Sequence, residues 1–274
     1  MENLKNKFQR EISLIISAYN QYDYLYLVLK SIENQTFKNF EVIIAEDCQK
    51  SEMKKNIDNW KKEFSFPLFH VFQEDIGFRK TKILNSAIRE SNGRNIVIID
   101  QDCILHKEFL QNYIKNFNKG YDVIFGRRCE MSEKLSKKLL KNQNYKIKLT
   151  DLIFPYSKAW TECIYFPFFF SLKKRRLRLL GSNMGFTKEA IYKINGFNEA
   201  YTGAGIGEDT DLEWRFLKAG VKYKASKNEI IQYHIFHGRE NRENNLLGEK
   251  ILKESKEKNE WFCKNGLKGE KNEF

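Results

Sequence analysis

The chain of 274 residues is long enough for one large α/β domain, and its 41% hydrophobic and 31% charged residues describe a globular protein with a heavily charged surface. A net charge of +12, with a sequence pI near 9.3, favours acidic partners: nucleic acid, an anionic membrane surface or phosphate-bearing substrates. No stretch has the length of a membrane-spanning helix, and five scattered cysteines without a CxxC pair argue against a zinc ribbon or a disulfide framework and for reduced thiols in a cytosol.

The N-terminus MENLKNKFQREISLIIS is charged before an apolar run too short for the core of a secretory leader. Strand-like runs then recur at ISLIIS (12–17), FEVIIAE (40–46), PLFHVF (67–72), NIVIID (95–100) and YDVIFG (121–126). Between them lie helix-period segments. In YDYLYLVLKSIENQ, Leu25, Val28, Leu29 and Ile32 share a face; in KTKILNSAIRE, Ile83, Leu84, Ala87 and Ile88 do the same, with Asn92-Gly93 as a stop signal. HKEFLQNYIKNF reads as a third helix. Strands alternating with helices predict a mostly parallel, Rossmann-like sheet covered by helices, with ligands at the carboxyl ends of the strands. Ser17-Ala18-Tyr19, Glu46-Asp47 and Asp100-Gln101-Asp102 all fall at such ends.

From about Glu130 to Leu180 the sequence is basic and aromatic without clear strands. GSNMGFTKEAIYKINGFNEAYTGAGIGEDTDLEWRFLKAGVKYKAS then resumes compact chemistry, with a helix from Thr210 to Ala219, and the stretch from Arg239 is polar and helical. There is no internal repeat and no Pro/Ser linker. The simplest plan is one domain over 1–238, with a first half (1–126), a basic and aromatic insertion (127–180) and a second half (181–238), followed by a peripheral helical tail (239–274).

Three groups could carry chemistry. Carboxylates at i and i+2 on an extended strand end point the same way, so Asp100 and Asp102 could share Mg²⁺ or Mn²⁺; a capped strand end would show the same pattern. In Gly207-Glu208-Asp209-Thr210-Asp211, glycine leads into a helix start, where an Asp also serves as an ordinary cap. His234 and His237 in YHIFHGRE are two of only four histidines, and a pair beside two acidic clusters is a candidate ligand pair.

Taken in order, AYN at the first strand end, the acidic pair at the second, DQD at the fourth, then NGF and GED, resemble the inverting nucleotide-sugar glycosyltransferases of family 2, which have the GT-A fold. FRKTKILN, IIDQDC and NGFNEAYTGAGIGEDTDLEWR also resemble the β-1,4-galactosyltransferases and chondroitin-polymerase-type transferases. The resemblance covers roughly residues 10–240.

It implies a role for each matching position. Asp102 would coordinate Mn²⁺ (or Mg²⁺) on the donor diphosphate, with Asp100 at the ribose or the metal shell and Gln101 between them. Asp47, or its neighbour Glu46, would contact the base, and Ala18, Tyr19 and Asn20 would line the nucleotide pocket. Arg79, Lys80 and Lys82 would face the diphosphate, and Gly181, Ser182 and Asn183 the donor sugar. Asp209 would be the catalytic base and Glu208 would hold the acceptor. One histidine would ligate the metal: HGRE favours His237, HIF favours His234, and the resemblance does not separate them. The implied partners are a nucleotide-sugar donor, most simply a UDP-sugar, and a glycan or lipid-linked acceptor of bacterial surface-polysaccharide assembly.

Departures bear on the substrate. Ala18 replaces the usual proline, Glu46-Asp47-Cys48-Gln49 replaces DDGS, and Ala204 and Ile206 stand where many relatives carry an aromatic that stacks on a sugar. In ECIYFPFFFSLKKRRLRLL, aromatics precede KKRRLR (173–178), which suits either an interfacial anchor at the inner face of the cytoplasmic membrane or a cover over the acceptor cleft. The expected location is therefore cytoplasmic, with peripheral membrane contact left open. A basic nucleic-acid-binding protein and an inactive sugar-nucleotide-binding protein are the rival readings. No nucleic-acid module is recognisable, and the residues implied for catalysis are intact.

Overall fold

The computed structural model describes residues 8–48, 51–153, 164–167, 179–203, 207–238 and 245–268. Four strands whose sequences are almost unbroken aliphatic runs form the parallel half of the sheet: β1 (Arg10–Ala18), β2 (Phe40–Glu46), β3 (Leu68–Phe72) and β4 (Gly93–Asp100). Such runs suit strands covered on both faces. The crossovers are α1 (Tyr22–Glu33), α2 (Ser51–Glu63) and α3 (Lys80–Glu90). The polar α2 carries a narrow apolar stripe, Met53, Ile57 and Trp60 at i, i+4 and i+7, and all three are buried.

After β4 the chain makes a tight turn into β5 (Cys103–Leu105), α4 (Phe109–Asn118), β6 (Val123–Phe125) and β7 (Arg127–Glu130). Then follow α5 (Glu133–Lys141), α6 (Leu149–Ile153), β8 (Asn183–Thr187), α7 (Lys188–Lys193), α8 (Glu208–Lys218), β9 (Tyr223–Ala225), β10 (Ile231–His234) and α9 (Asn245–Glu257). The expected mostly parallel sheet is present as seven strands in the order β3-β2-β1-β4-β8-β6-β9, in which β8 runs antiparallel to both its neighbours. A second sheet, β5-β10-β7, crosses its carboxyl edge.

The registers carry the site. Ser17 pairs with Asp100 and Ala18 with Glu46, so the carboxyl ends of three strands finish level. In the small sheet His234 stands opposite Cys103 on one side and Glu130 on the other. Residues 104 and 131 positions from His234 in the chain, by subtraction of those numbers, thus meet it in one row.

The stretch expected to lack clear strands holds the helices α5 and α6 among its described residues; Ser132 caps α5 by accepting from Leu135 N, and Leu135 and Leu139 pack inward. The tail, expected to be peripheral, is not so throughout. Cys263 and Leu267 are buried, and Asn195 receives Lys268 N while donating to the Cys263 carbonyl. The motif NGF makes this possible. Gly196 has φ +77°, and a Cβ there would stand 2.5 Å from Leu267. Asn85 of α3 closes the knot, accepting from Phe197 N and donating to Phe197 O.

Cys48, Cys103 and Cys263 are buried and outside any disulfide, but Cys129 is disulfide-bonded, which overturns the expectation of reduced cysteines throughout. The segment 168–178, with KKRRLR, and the departures at Ala204 and Ile206 lie outside the described residues. Among the described residues no helix is long and apolar enough to cross a membrane.

Helix α8 is anchored by a buried pair. Arg215 donates through Nε to Asp211 at 2.7 Å and through Nη1 to the carbonyls of Ile194 and Gly196, and both side chains are at most 2% exposed. Arg215→Met leaves Asp211 uncompensated, for which the expected cost is about 3–5 kcal/mol, measured as a fall in the urea midpoint at unchanged m-value.

Candidate functional site

At the end of β4 the two carboxylates part. Gln101 and Asp102 form a turn, so the period-two alternation that would aim Asp100 and Asp102 together stops at Asp100. Asp100 pairs with Lys80 at 2.5 Å. Burial opposes the Lys80 charge, yet Asp100 first, then Glu208 and Asp102, raise its pKa. Lys80 therefore sits among the acidic groups of both motifs. Asp100, expected at the ribose or the metal shell, thus has Lys80 as its ion-pair partner.

Asp102 instead meets both histidines. Its Oδ2 lies 3.2 Å from His234 Nε2 and 3.1 Å from His237 Nε2, and the two Nε2 atoms are 3.2 Å apart. Among the described residues these three form a group that could hold a metal ion. The triangle fits one: neighbouring ligands of a cation bound at about 2.1 Å stand roughly 3.0–3.4 Å apart in octahedral or tetrahedral geometry. The outer atoms are occupied. Cys103 Sγ lies 3.2 Å from Asp102 Oδ1, and His237 Nδ1 is 2.8 Å from the Gly238 carbonyl. Glu130 Oε2 stands 2.7 Å from His234 Nδ1, at ion-pair distance but beside the ring N–H axis rather than along it.

The charges agree with a cation site. Burial would raise the Asp102 pKa, but contacts with the two imidazoles hold it far below the usual carboxylate range. Burial would lower that of His234, but Asp102 and Glu130 push it up to about 9. Without a metal, protons on the histidines supply the counter-charge; a cation would displace them.

The residues expected at the nucleotide edge occupy the ends of β1 and β2 and the loop before α3. Gln101 accepts from Tyr19 N at 2.9 Å and donates to Tyr19 O at 2.7 Å, pinning the β1–α1 turn, in which Asn20 has φ +53°. Tyr19 is 44% exposed at the rim while Ala18 is buried. Glu46 and Asp47 point apart. Glu46 is buried against His70 at 2.8 Å, away from the rim. Asp47 takes Gln73 Nε2 and Arg79 N on its two oxygens and so shapes the loop before α3. Arg79 turns its guanidinium back to the Glu74 carbonyl, and Lys82 is exposed on α3.

Of the three residues expected at the donor sugar, one faces the site. Gly181 lies beside Asp209, where a Cβ would be 3.6 Å from the Asp209 Cβ. Ser182 is buried and bonded by Gln232, and Asn183 is wholly buried between the Tyr113 hydroxyl and the Arg127 carbonyl. The amide that looked like a sugar ligand instead locks β8 to its neighbours.

Gly207, with φ +90°, brings Glu208 and Asp209 into the first turn of α8. Asp209 Oδ1 accepts from Thr210 N at 2.7 Å, leaving Oδ2 toward Gly181. Burial raises the Glu208 pKa, opposed by Lys80, and its Oε2 is buried with no hydrogen-bond partner among the described residues. An unpartnered buried acceptor invites a hydroxyl donor. Sequence reasoning missed Glu130, Arg128 and Cys103, whose roles depend on strand register.

The glycosyl transferase family 2 model matches residues 13–194, and a model described as the N-terminal domain of galactosyltransferase matches residues 169–238. Chondroitin synthase of Pasteurella multocida is 23% identical over 264 residues, covering 90% of this chain and 27% of that protein. A GalNAc(5)-diNAcBac-PP-undecaprenol β-1,3-glucosyltransferase of Campylobacter jejuni is 25% identical over 119 residues, covering 42% of this chain and 37% of that protein. The chain thus spans well under half the length of these relatives. Among solved structures, the mannosyltransferase PcManGT of Pyrobaculum calidifontis, in complex with GDP-Man and Mn²⁺, superposes with TM-score 0.58 at 15% identity over 85% of this chain and 59% of that one. S. aureus TarS with UDP-GlcNAc gives 0.55 at 14% identity over 85% of this chain and 61% of that one. These likenesses show the GT-A fold.

Proposed function

Because the chain belongs to glycosyl transferase family 2, we propose that it transfers a sugar, with inversion, from a nucleoside-diphosphate donor to a hydroxyl of a glycan or lipid-linked acceptor. The observation that carries this reading is the convergence of Asp102, His234 and His237 at the carboxyl edge of the sheet, with Glu208 close enough to Lys80 to act on its charge. A UDP-sugar is the first donor to test, and surface-polysaccharide assembly is the process that the resemblance implies.

Asp102, His234 and His237 would hold a divalent cation. Two imidazoles and one carboxylate favour Mn²⁺ over Mg²⁺, which prefers oxygen donors. When bound, the cation neutralises charge on the departing diphosphate. The chain's own residues do the rest. Glu208 receives a hydrogen bond from the acceptor and orients it. Asp209 Oδ2 accepts the proton of the attacking hydroxyl as its oxygen bonds to the anomeric carbon, while the bond from that carbon to the diphosphate breaks on the opposite face. One base suffices because the leaving group departs as an anion and needs no proton. Lys80 keeps Asp100 neutralised, so the donor phosphates meet a corner whose negative charge is already compensated.

The test is release of nucleoside diphosphate from a panel of UDP-, GDP- and dTDP-sugars, with Mn²⁺ and with chelator, together with the anomeric configuration of the product by NMR. Metal-dependent turnover with an inverted product is expected. Turnover unaffected by chelation, or a retained configuration, contradicts the proposal.

A further inference from the structure

The metal-binding edge is organised by the small sheet, and one of its residues has no role yet. On β7, Glu130 is the register partner of His234 on β10. Its Oε2 stands 2.7 Å from His234 Nδ1, at ion-pair distance and beside the ring N–H axis. Its Oε1 takes Arg128 Nε at 2.8 Å and Arg128 Nη2 at 2.7 Å, and Arg128 Nη1 extends toward Ser182 Oγ at 3.5 Å. The side chains run Arg128, Glu130, His234, Asp102 in an unbroken line from β7 to the end of β4.

An imidazole can bind a cation through either nitrogen, and an acceptor on one selects the tautomer that presents the other. At His237 that acceptor is the Gly238 carbonyl, and at Asp102 the spare oxygen is occupied by Cys103. At His234 the group facing Nδ1 is the Glu130 carboxylate, which holds the ring as an ion-pair partner. We infer that Glu130 is a positioning residue, whose carboxylate, held by Arg128, keeps the His234 ring with Nε2 turned toward Asp102 and His237. This rests on the proposed metal site. The bland alternative is that Glu130 and Arg128, with side chains 38% and 28% exposed, form an ordinary surface ion pair of little consequence.

The two alternatives differ in metal affinity without any turnover being measured. Mn²⁺ is titrated into the full chain without nucleotide, and free Mn²⁺ is followed by its EPR signal. Glu130→Ala is expected to raise the dissociation constant by about 10–100-fold, the usual effect of losing an outer partner of a ligating histidine. Glu130→Gln keeps an acceptor oxygen opposite Nδ1 and is expected to lose less. Metal-free melting temperatures of both variants should stay near that of wild type. Binding by Glu130→Ala within twofold of wild type overturns the inference, as does Glu130→Gln binding more weakly than Glu130→Ala. Should the alanine variant unfold, the glutamine variant decides alone: a several-fold loss supports the inference and no loss overturns it. A wild-type chain that binds no Mn²⁺ removes the metal reading itself, a distinct result.

Discussion

Asp209→Asn is expected to lower turnover by about 10²–10⁴-fold while leaving the dissociation constants of Mn²⁺ and UDP within about twofold of wild type. Asparagine keeps the size of the side chain and an oxygen for Thr210 N, the contact that now holds Oδ1 at 2.7 Å. It loses the capacity to take a proton at the oxygen beside Gly181. Single-turnover rates of sugar transfer, with binding of Mn²⁺ and UDP measured separately, distinguish the two effects. A variant that retains more than about a tenth of the rate would remove Asp209 as the base, and one that loses nucleotide binding would give it another role.

Asp102→Ala removes the one carboxylate of the cation triangle. The remaining imidazoles meet at 3.2 Å with no anion between them, and each loses its contact to Oδ2. Loss of an outer partner alone costs 10–100-fold in affinity, so removal of the charged ligand should cost at least about 100-fold, measured by calorimetric titration of Mn²⁺. Asp100→Asn should behave differently. Asp100 is paired with Lys80 and is not part of the triangle, so Mn²⁺ affinity should change by only a few-fold. Equal losses in the two variants would restore the sharing of one cation by both carboxylates.

Much of the frame was legible from residue patterns because the deciding interactions are local. β2 and α3 fall at the bounds read from FEVIIAE and KTKILNSAIRE, where an aliphatic run and an amphipathic period leave little choice. Asp102, His234 and His237 stood out by residue type and by place at strand ends. What escaped depends on register. Glu130 reaches His234 only because two short strands pair across 104 residues, a subtraction of their numbers, and no local spacing encodes that pairing. Asn183 carries the same signature in a binding loop as in a buried lock, and only the Tyr113 hydroxyl and Arg127 carbonyl around it decide between them. The turn at 101–102 separated two carboxylates that a longer strand would have aimed together.

The central claim is that the corner formed by Asp102, His234 and His237 is the cation-dependent seat of a nucleoside diphosphate. The most direct measurement is thermal unfolding of the full chain with UDP, with and without Mn²⁺, in wild type and in Asp102→Ala. A ligand at about a hundred times its dissociation constant adds about 2.7 kcal/mol, and each kcal/mol moves the midpoint of a chain this size by roughly 2–4 °C. The account predicts a rise of roughly 5–10 °C that requires both UDP and Mn²⁺ in wild type and is lost in Asp102→Ala. A rise that survives in the variant, or no rise with UDP, GDP, CMP or dTDP in wild type, would contradict it.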